Sequence, residues 1–266
     1  MSQMRQHAVF DRLPDQHAQI TTLMRDYPAG HNIGWHFHDR DQLVYASRGV
    51  MTIRTKVGTW VVPTHRAVWI STRVPHAITM SGMVAMRTLY FKPRLARSLP
   101  PGCCVVNISP LLRELVLQAC RFQFLKMRVP WQKHLIEIIL DQLKAIQMVP
   151  LQLPHLSDPR AIRVTERLIT QPGNRLTLTN LCKSAGASKR TLERIIQKEA
   201  GMTLGKWRQQ LRLMEAVRLL AEGAKVTHAA LDAGYNSPSA FISMFRKTLG
   251  TTPAVYFRAA GARGSN

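Results

Sequence analysis

Acidic residues are scarce in this chain of 266 residues, where 15 Asp and Glu stand against 37 Lys and Arg. The formal charge is +22 with neutral histidines, and such a field favours polyanionic partners, with nucleic acid first and an anionic membrane second. Long apolar runs are also missing, because no stretch approaches the ~18 apolar residues that a bilayer span needs. The first residues carry no apolar signal core. We therefore expect a cytoplasmic protein without a membrane partner.

Cysteine is rare as well. The four cysteines show no C-x-x-C spacing, and two of them, Cys103 and Cys104, are adjacent and poorly placed to bridge each other. We predict reduced thiols without a chemical role. Hydrophobic residues make up 45% of the chain, so a sizeable core can form and wholesale disorder is excluded.

Two domains are indicated by the uneven distribution of histidine and charge. Nine of the ten histidines precede residue 156, whereas residues 157–266 hold 18 Lys and Arg against 7 Asp and Glu. Between the two parts, Pro150, Pro154 and Pro159 block helix continuation and indicate a linker. We place the boundary near residue 155 and predict domains at 1–155 and 156–266.

The N-terminal part predicts a small antiparallel sandwich or barrel. β-Branched and aromatic residues fill five segments between turn residues such as Gly49 and Gly82, and these segments are 42–46, 50–56, 60–62, 67–70 and 84–91. Farther along, residues 111–147 contain two stretches with apolar residues at helical spacing. We expect these helices either to pack on the barrel or to form a dimer seam, and both alternatives stay open.

The C-terminal part contains an internal repeat. Residues 178–201 and 226–250 each combine a short helix, a glycine, a capping serine and a second helix with an apolar i, i+4 stripe. This pattern is typical of a helix-turn-helix, whose capped second helix enters a major groove of DNA. A plain helical bundle is the alternative, but two copies joined by a helix at 204–221 in a basic domain disfavour it.

The second copy carries a specific string, Ala233-Gly234-Tyr235-x-Ser237-x-x-x-Phe241-x-x-x-Phe245-Arg246-Lys247-x-x-Gly250-x-x-Pro253. With this string, residues 158–258 resemble the DNA-binding domain of AraC/XylS-type bacterial transcription regulators. The resemblance implies recognition helices at 188–198 and 237–248. By the same resemblance, the outward residues are Lys189, Arg190, Glu193, Arg194 and Gln197 in the first helix, and Ser239, Ala240, Ile242 and Ser243 in the second.

The outward residues of the two recognition helices differ in chemistry. Arg190 and Arg194 share one helix face, where each can contact guanine bidentately or clamp a phosphate. Glu193 has two interpretations, acceptance from a cytosine amino group or pairing with Lys189 or Gln197. The outward residues of the second helix are small or apolar, which predicts a unit that positions the protein more than it specifies sequence.

A second resemblance lies in the N-terminal part. Gly30-x5-His36-x-His38-x3-Gln42-x6-Gly49 follows the first cupin motif, with glutamine where metal-binding cupins carry glutamate, and His76 stands where the second motif has a histidine. Residues 30–95 thereby resemble the cupin-like sensor domains fused to some AraC-type DNA-binding domains. The two resemblances imply an α+β protein of two domains, a cupin-like β-barrel with flanking helices and an all-α domain with two helix-turn-helix units.

The histidines have three interpretations. His36 and His38 face one side of a strand, and Gln42 shares that side if the strand continues. Three imidazoles can hold Zn²⁺ or Fe²⁺, yet glutamine lacks the charge that would offset the cation. We therefore expect a metal-free effector pocket and no cofactor, with a metal site and structural histidines as alternatives. The predicted pocket residues are Trp35, His36, His38, Gln42, Tyr45, Trp69 and His76.

These observations predict a sequence-specific transcription regulator, an activator or a repressor, and not an enzyme. Its expected partners are double-stranded DNA and a small-molecule effector, with RNA polymerase and a second copy of the chain as further candidates. Two alternatives are a cupin-type metalloenzyme or metal sensor with a basic nucleic-acid-binding module, and an architectural nucleic-acid binder. The enzyme is disfavoured because the sequence shows no nucleophile motif, paired carboxylates or phosphate-binding glycine loop.

Overall fold

A computed structural model describes residues 18–149, 151–174 and 176–261, apart from the side chains of residues 178, 184 and 258–261. The chain divides into two compact units between Leu151 and Gln152, and residues 57–59 belong to the second unit. Among the described residues, none of the helices combines the length and the hydropathy that a membrane crossing requires.

The first unit is built on an antiparallel sheet. Its strands are β1 (Ile20–Tyr27), β2 (Asn32–His36), β3 (Asp41–Thr55), β4 (Gly58–Val62, of which residues 60–62 belong to this unit), β5 (Arg66–Ile70), β6 (His76–Phe91), β7 (Cys103–Asn107), β8 (Phe124–Leu125) and β9 (Met148–Val149). The main path runs β8-β1-β6-β3-β5-β7-β9, with β2 beside β6 and β4 beside β3. The predicted β-rich fold of this part is confirmed.

The structure joins two predicted segments, 42–46 and 50–56, into the single strand β3. Gly49 has a φ of +80° and lies at a register shift between β3 and β6, so it forms a bulge and not a hairpin turn. A Cβ atom at Gly49 would lie 2.4 Å from the Met83 carbonyl oxygen, which explains why glycine is needed there. The bulge keeps β3 and β6 paired on both sides of it.

Two helices, α1 (Pro110–Ala119) and α2 (Pro130–Lys144), pack on this sheet. Both have proline in the first turn, where a missing N–H costs nothing. Their buried faces, which include Val116 and Ile139, join one apolar cluster with Leu43 and Leu89 of the sheet. The apolar stripes of both helices are therefore used in packing on the sheet, and a dimer seam would need their exposed residues.

The second unit contains the short strand β10 (Gln152–Pro154) and seven helices among its described residues. These helices are α3 (Pro159–Thr170), α4 (Leu178–Ser184), α5 (Lys189–Ala200), α6 (Leu204–Ala221), α7 (Val226–Asp232), α8 (Pro238–Leu249) and α9 (Pro253–Gly261). The pairs α4–α5 and α7–α8 are two helix-turn-helix units, and α6 joins them. The predicted helical architecture is confirmed.

The turns of both units follow directly from the repeat. Gly186 and Gly234 have φ values of +66° and +88°, which glycine adopts without a Cβ penalty. Ser188 Oγ accepts a hydrogen bond from the Thr191 N–H at 3.1 Å, and Ser237 caps α8 in the same way. One capped helix in each unit is thereby held at a fixed angle to its predecessor.

Arginines of α6 bind the loop that precedes α4. Arg208 donates to the carbonyl oxygens of Asn174 and Leu176, and Arg212 donates to that of Asn174 at 2.9 Å. Gly173 in this loop lies against Gly234, since a Cβ at Gly234 would be 2.9 Å from the Gly173 Cα. The loop, the central helix and the second turn thus form one packed junction.

Candidate functional site

The first candidate site is the outer surface of α5. Its side chains Lys189, Arg190, Arg194 and Gln197 are all exposed, as the resemblance implied. The buried side of the same helix carries Leu192 and Ile196, so packing fixes which face is free. The exposed face offers two guanidinium groups, an ammonium and an amide, which are the groups that bind phosphates and guanine edges.

Glu193, the remaining residue in the predicted DNA contact set of α5, has a different role. Its Oε2 atom accepts a hydrogen bond from the backbone N–H of Leu204, the first residue of α6, at 3.1 Å. A carboxylate at that position satisfies a free N–H and interacts favourably with the positive end of the helix dipole. The structure gives this carboxylate an intramolecular partner that neither sequence-based interpretation included, and it shows no pairing with Lys189 or Gln197. Acceptance from a cytosine amino group stays a prediction.

The predicted contact residues of the second recognition helix, α8, are all uncharged. Ser239, Ala240 and Ser243 are exposed, whereas Ile242 is half-buried. A surface cleft of about 630 Å³ adjoins them and is lined by Ser239, Ile242, Ser243, Arg246, Lys247 and Thr252. The predicted contact set omitted Arg246 and Lys247, although both stand in the string that carries the resemblance. These two exposed residues supply the positive charge of this surface.

The second candidate site is a cluster of three buried histidines in the first unit. The potential ligand atoms of His36, His38 and His76 all lie within 4.8 Å of one another. The ring centroids of His36 and His76 are 4.3 Å apart, and those of His36 and His38 are 4.9 Å apart. Strands β2 and β6 position two of the rings, since His36 pairs with His76 in the β2–β6 register.

Burial keeps His76 neutral. Removal from water and the neighbouring His36 ring lower the pKa of His76 to about 3, while a hydrogen bond to the Val74 carbonyl partly opposes this change. A group with so low a pKa carries no proton on its second ring nitrogen at neutral pH. The His76 ring is therefore an uncharged base inside the sheet domain.

The structure brings only part of the predicted pocket together. Tyr45 and Trp69 belong to the apolar cluster under α1 and α2, where the Trp69 ring lies 5.5 Å from the Phe91 ring. Side chains alternate along a strand, so Tyr45, three positions after Gln42, faces the opposite side of the sheet. Trp35 is 39% exposed. The expected aromatic walls around the histidines are corrected accordingly.

Tyr90 is the aromatic residue that the sequence-based set missed. Its ring centroid lies 5.0 Å from that of His38, and it pairs with Gln42 in the β3–β6 register. Complete burial raises the pKa of Tyr90, which keeps the phenol neutral, while a hydrogen bond with Gln42 acts in the opposite direction. The site therefore contains His36, His38, Gln42, His76 and Tyr90.

Comparison with known proteins adds family evidence for both parts. A model described as an AraC-like ligand binding domain matches residues 21–121, and a helix-turn-helix domain model matches residues 181–259. The HTH-type transcriptional regulator NimR of Escherichia coli is 34% identical over 221 residues, which cover 83% of this chain and 81% of NimR. That match is long enough to include both units.

Shorter and more distant similarities exist as well. The regulatory protein SoxS of Salmonella typhimurium is 34% identical over 89 residues, which are 33% of this chain and 80% of SoxS. Among solved structures, unsaturated fatty acid-bound ToxT from Vibrio cholerae matches with a TM-score of 0.38 and 12% identity, covering 90% of this chain and 94% of ToxT.

Proposed function

The chain belongs to the AraC family of DNA-binding transcription regulators, and we propose that its first helix-turn-helix unit reads sequence while its second positions the protein on DNA. The observation that carries this proposal is the contrast between the two exposed helix faces. Arg190 and Arg194 on α5 can make bidentate contacts with guanine, which discriminate between bases. On α8, Ser243 and its small neighbours offer little to read, and Arg246 with Lys247 is suited to phosphate contact.

The spacing of the two units supports simultaneous binding. Helix α6 has 18 residues, which at about 1.5 Å per residue span about 27 Å. One turn of B-DNA is about 34 Å, so the recognition helices would enter successive major grooves on one side of the duplex with modest bending. We propose residues 156–266 as the DNA-binding domain.

Residues 1–155 are the proposed effector-sensing domain, and the effector site is the group around the histidine cluster. His36, His38, His76, Gln42 and Tyr90 supply converging polar groups in an enclosed setting, as ligand sites require. A molecule that binds one conformation of this domain more tightly shifts the population, and the shift changes DNA affinity. The proposal includes no catalytic step, places the protein in the cytoplasm, and retains RNA polymerase and a second copy of the chain as partners.

Footprinting on the DNA that flanks the protein's own gene tests the proposal. The full chain is expected to protect an asymmetric site about two major grooves long, because each chain contributes two different recognition helices. Candidate small molecules are expected to change this protection, and the replacement His36→Ala should blunt that change while leaving binding without effector intact. Protection of only about 5 base pairs per chain would contradict bipartite binding.

A further inference from the structure

We propose that a surface cleft of the sheet domain binds a small organic anion through Arg94 and Arg97. The cleft has a volume of about 640 Å³, which is within the usual range for small-molecule sites. Its lining combines three arginines, the third being Arg73, with apolar side chains such as Leu99 and Trp69. This combination is suited to a ligand that carries both a negative charge and an apolar part.

The cleft is separate from the histidine site. Trp69, which lines it, pairs with Leu43 in the β3–β5 register, and both residues belong to the apolar cluster under the helices. Gln42 of the histidine site precedes Leu43 along β3, so its side chain faces the other side of the sheet. An anion bound in the cleft is therefore a ligand additional to the proposed effector.

Two arginines of the cleft occupy strained backbone positions. Each lies in a tight turn, at 71–74 and 92–95, where the N–H of the last residue donates to the carbonyl oxygen of the first at 3.2 and 3.0 Å. Arg73 and Arg94 are the third residues of these turns, with φ values of +61° and +68°. Turns with a positive φ at this position favour glycine, because a Cβ atom is strained there. Backbone preference therefore does not account for arginine in either turn, which indicates a use for the side chains.

The two carboxylates of the cleft have partners within the protein. Asp39 Oδ1 accepts a hydrogen bond from the Arg73 Nε atom at 3.0 Å, and the two side chains form an ion pair. Asp41 Oδ1 accepts from the Thr72 N–H at 2.9 Å, which fixes the start of the turn at 71–74. One arginine and both aspartates of the lining are thus used in the architecture of the cleft itself.

Arg94 and Arg97 carry the remaining positive charge of the cleft. Both are exposed, and neither forms an ion pair with a residue that the structure describes. The Nε atom of Arg97 donates to the Arg94 carbonyl oxygen at 3.2 Å, so this guanidinium is held beside the turn. Guanidinium groups bind carboxylates and phosphates through paired, charge-assisted hydrogen bonds. The expected head group of the ligand is therefore a carboxylate or a phosphate monoester.

The apolar part of the lining sets a second requirement. Leu99 is half-buried, and Pro93 and Pro101 are exposed beside the arginines. A hydrated inorganic anion leaves these side chains in contact with water, whereas a ligand with a hydrocarbon or aromatic body removes their apolar surface from it. We therefore expect an amphipathic anion with one charged head group on a small apolar body.

Titration of the full-length protein with benzoate and with phenyl phosphate tests the proposal, and benzamide is the uncharged control ligand. Binding is followed by saturation-transfer difference NMR on the ligand signals, which yields a Kd for each. The variants are Arg94→Gly and Arg97→Ala. The matched control is Arg121→Ala, since Arg121 is an exposed arginine of the same domain outside the cleft. Thermal unfolding is recorded for every variant.

At least one of the two anions is expected to bind the wild type and Arg121→Ala with equal Kd, and benzamide is expected to bind far more weakly. The anion with the lower Kd identifies the head group. Its Kd should rise by about 10-fold in Arg94→Gly and in Arg97→Ala, the order expected for one lost charge-assisted hydrogen bond. Arg94→Gly should also raise the melting temperature, because glycine adopts a positive φ without strain.

The proposal makes weaker binding and higher stability coincide in Arg94→Gly, whereas an arginine that only stabilises the turn would give a lower melting temperature with unchanged binding. That second pattern would overturn the proposal. So would the absence of binding by both anions, equal binding of benzamide, or a loss of affinity in Arg121→Ala as large as that in the two cleft variants.

Discussion

The two helix-turn-helix units share one motif but differ in the side chains that their recognition helices expose and in how tightly their turn glycines are packed. In the first unit, the recognition helix exposes Arg190 and Arg194, and a Cβ added at the turn glycine, Gly186, would meet nothing within 4 Å. In the second unit, the predicted contact residues of α8 are uncharged, and Gly234 is packed against Gly173 and the Arg212 side chain. The comparison indicates that the first unit is distinguished by the charged side chains that its recognition helix exposes. The second unit is distinguished by the close packing of its turn backbone.

The largest expected effect concerns the close packing of Gly234 in the second turn. The replacement Gly234→Ala puts a Cβ 2.9 Å from the Gly173 Cα at a φ of +88°, so clash and backbone strain add. We expect the free energy of unfolding of the helical unit to fall by about 3 kcal/mol. Gly186→Ala adds only the strain of a positive φ, so we expect the free energy of unfolding to fall by about 1 kcal/mol. Denaturant unfolding followed by circular dichroism measures both, and equal losses would show that the two turns are not differently constrained.

The next effect concerns DNA contacts. Arg194→Ala should weaken binding to the cognate site by about 1–3 kcal/mol if the side chain reads a base, with less effect on unrelated DNA. Ser243→Ala, on α8, should change either affinity by less than about 0.5 kcal/mol. Fluorescence anisotropy titrations compare the two variants. The exposed arginine Arg121, in the N-terminal sheet domain, supplies the control, since Arg121→Ala removes the same charge far from the motif in sequence. A uniform loss for Arg194→Ala across all sequences would identify a phosphate clamp instead.

A smaller effect is expected at Glu193, which lies in helix α5 of the first helix-turn-helix unit. Glu193→Ala removes the acceptor for the Leu204 N–H, and loss of such a cap costs about 1 kcal/mol of stability. Sequence preference should stay unchanged, because the carboxylate is used inside the protein. Thermal unfolding and a binding titration against base-substituted sites check the two statements. Altered preference with unchanged stability would return Glu193 to the DNA contact set.

Local signals in the sequence were sufficient for the helical unit. Helix α6 spans Leu204–Ala221, the range predicted from the sequence, and a capping threonine before it and a glycine after it mark its two ends. The strands are harder to predict from local signals alone. β1 has threonines and three exposed residues in a row, so it lacks a clean alternation, and it is held by pairing with the distant β6.

The histidine site shows where sequence reasoning fails in a different way. His36 and His38 could be grouped because they are two residues apart, although β2 ends at His36 and His38 follows it outside the strand. Tyr45 is separated from Gln42 by the two-residue period of a strand. Tyr90 could not be found without the β3–β6 register, and the hydrogen bond of Glu193 depends on how α5 packs against α6. Both contacts are made by residues far apart in sequence or in separate helices.

The central claim is that the first helix-turn-helix unit specifies the DNA sequence and that the second helix-turn-helix unit positions the protein on DNA. The most direct test measures the affinity of the full chain for a complete set of single base-pair substitutions across its footprint. Base-pair substitutions at positions bound by the first helix-turn-helix unit are expected to cost about 1–3 kcal/mol of binding free energy each. Substitutions at positions bound by the second helix-turn-helix unit are expected to cost far less. Equal costs in both halves, or higher costs in the half that binds α8, would contradict the account.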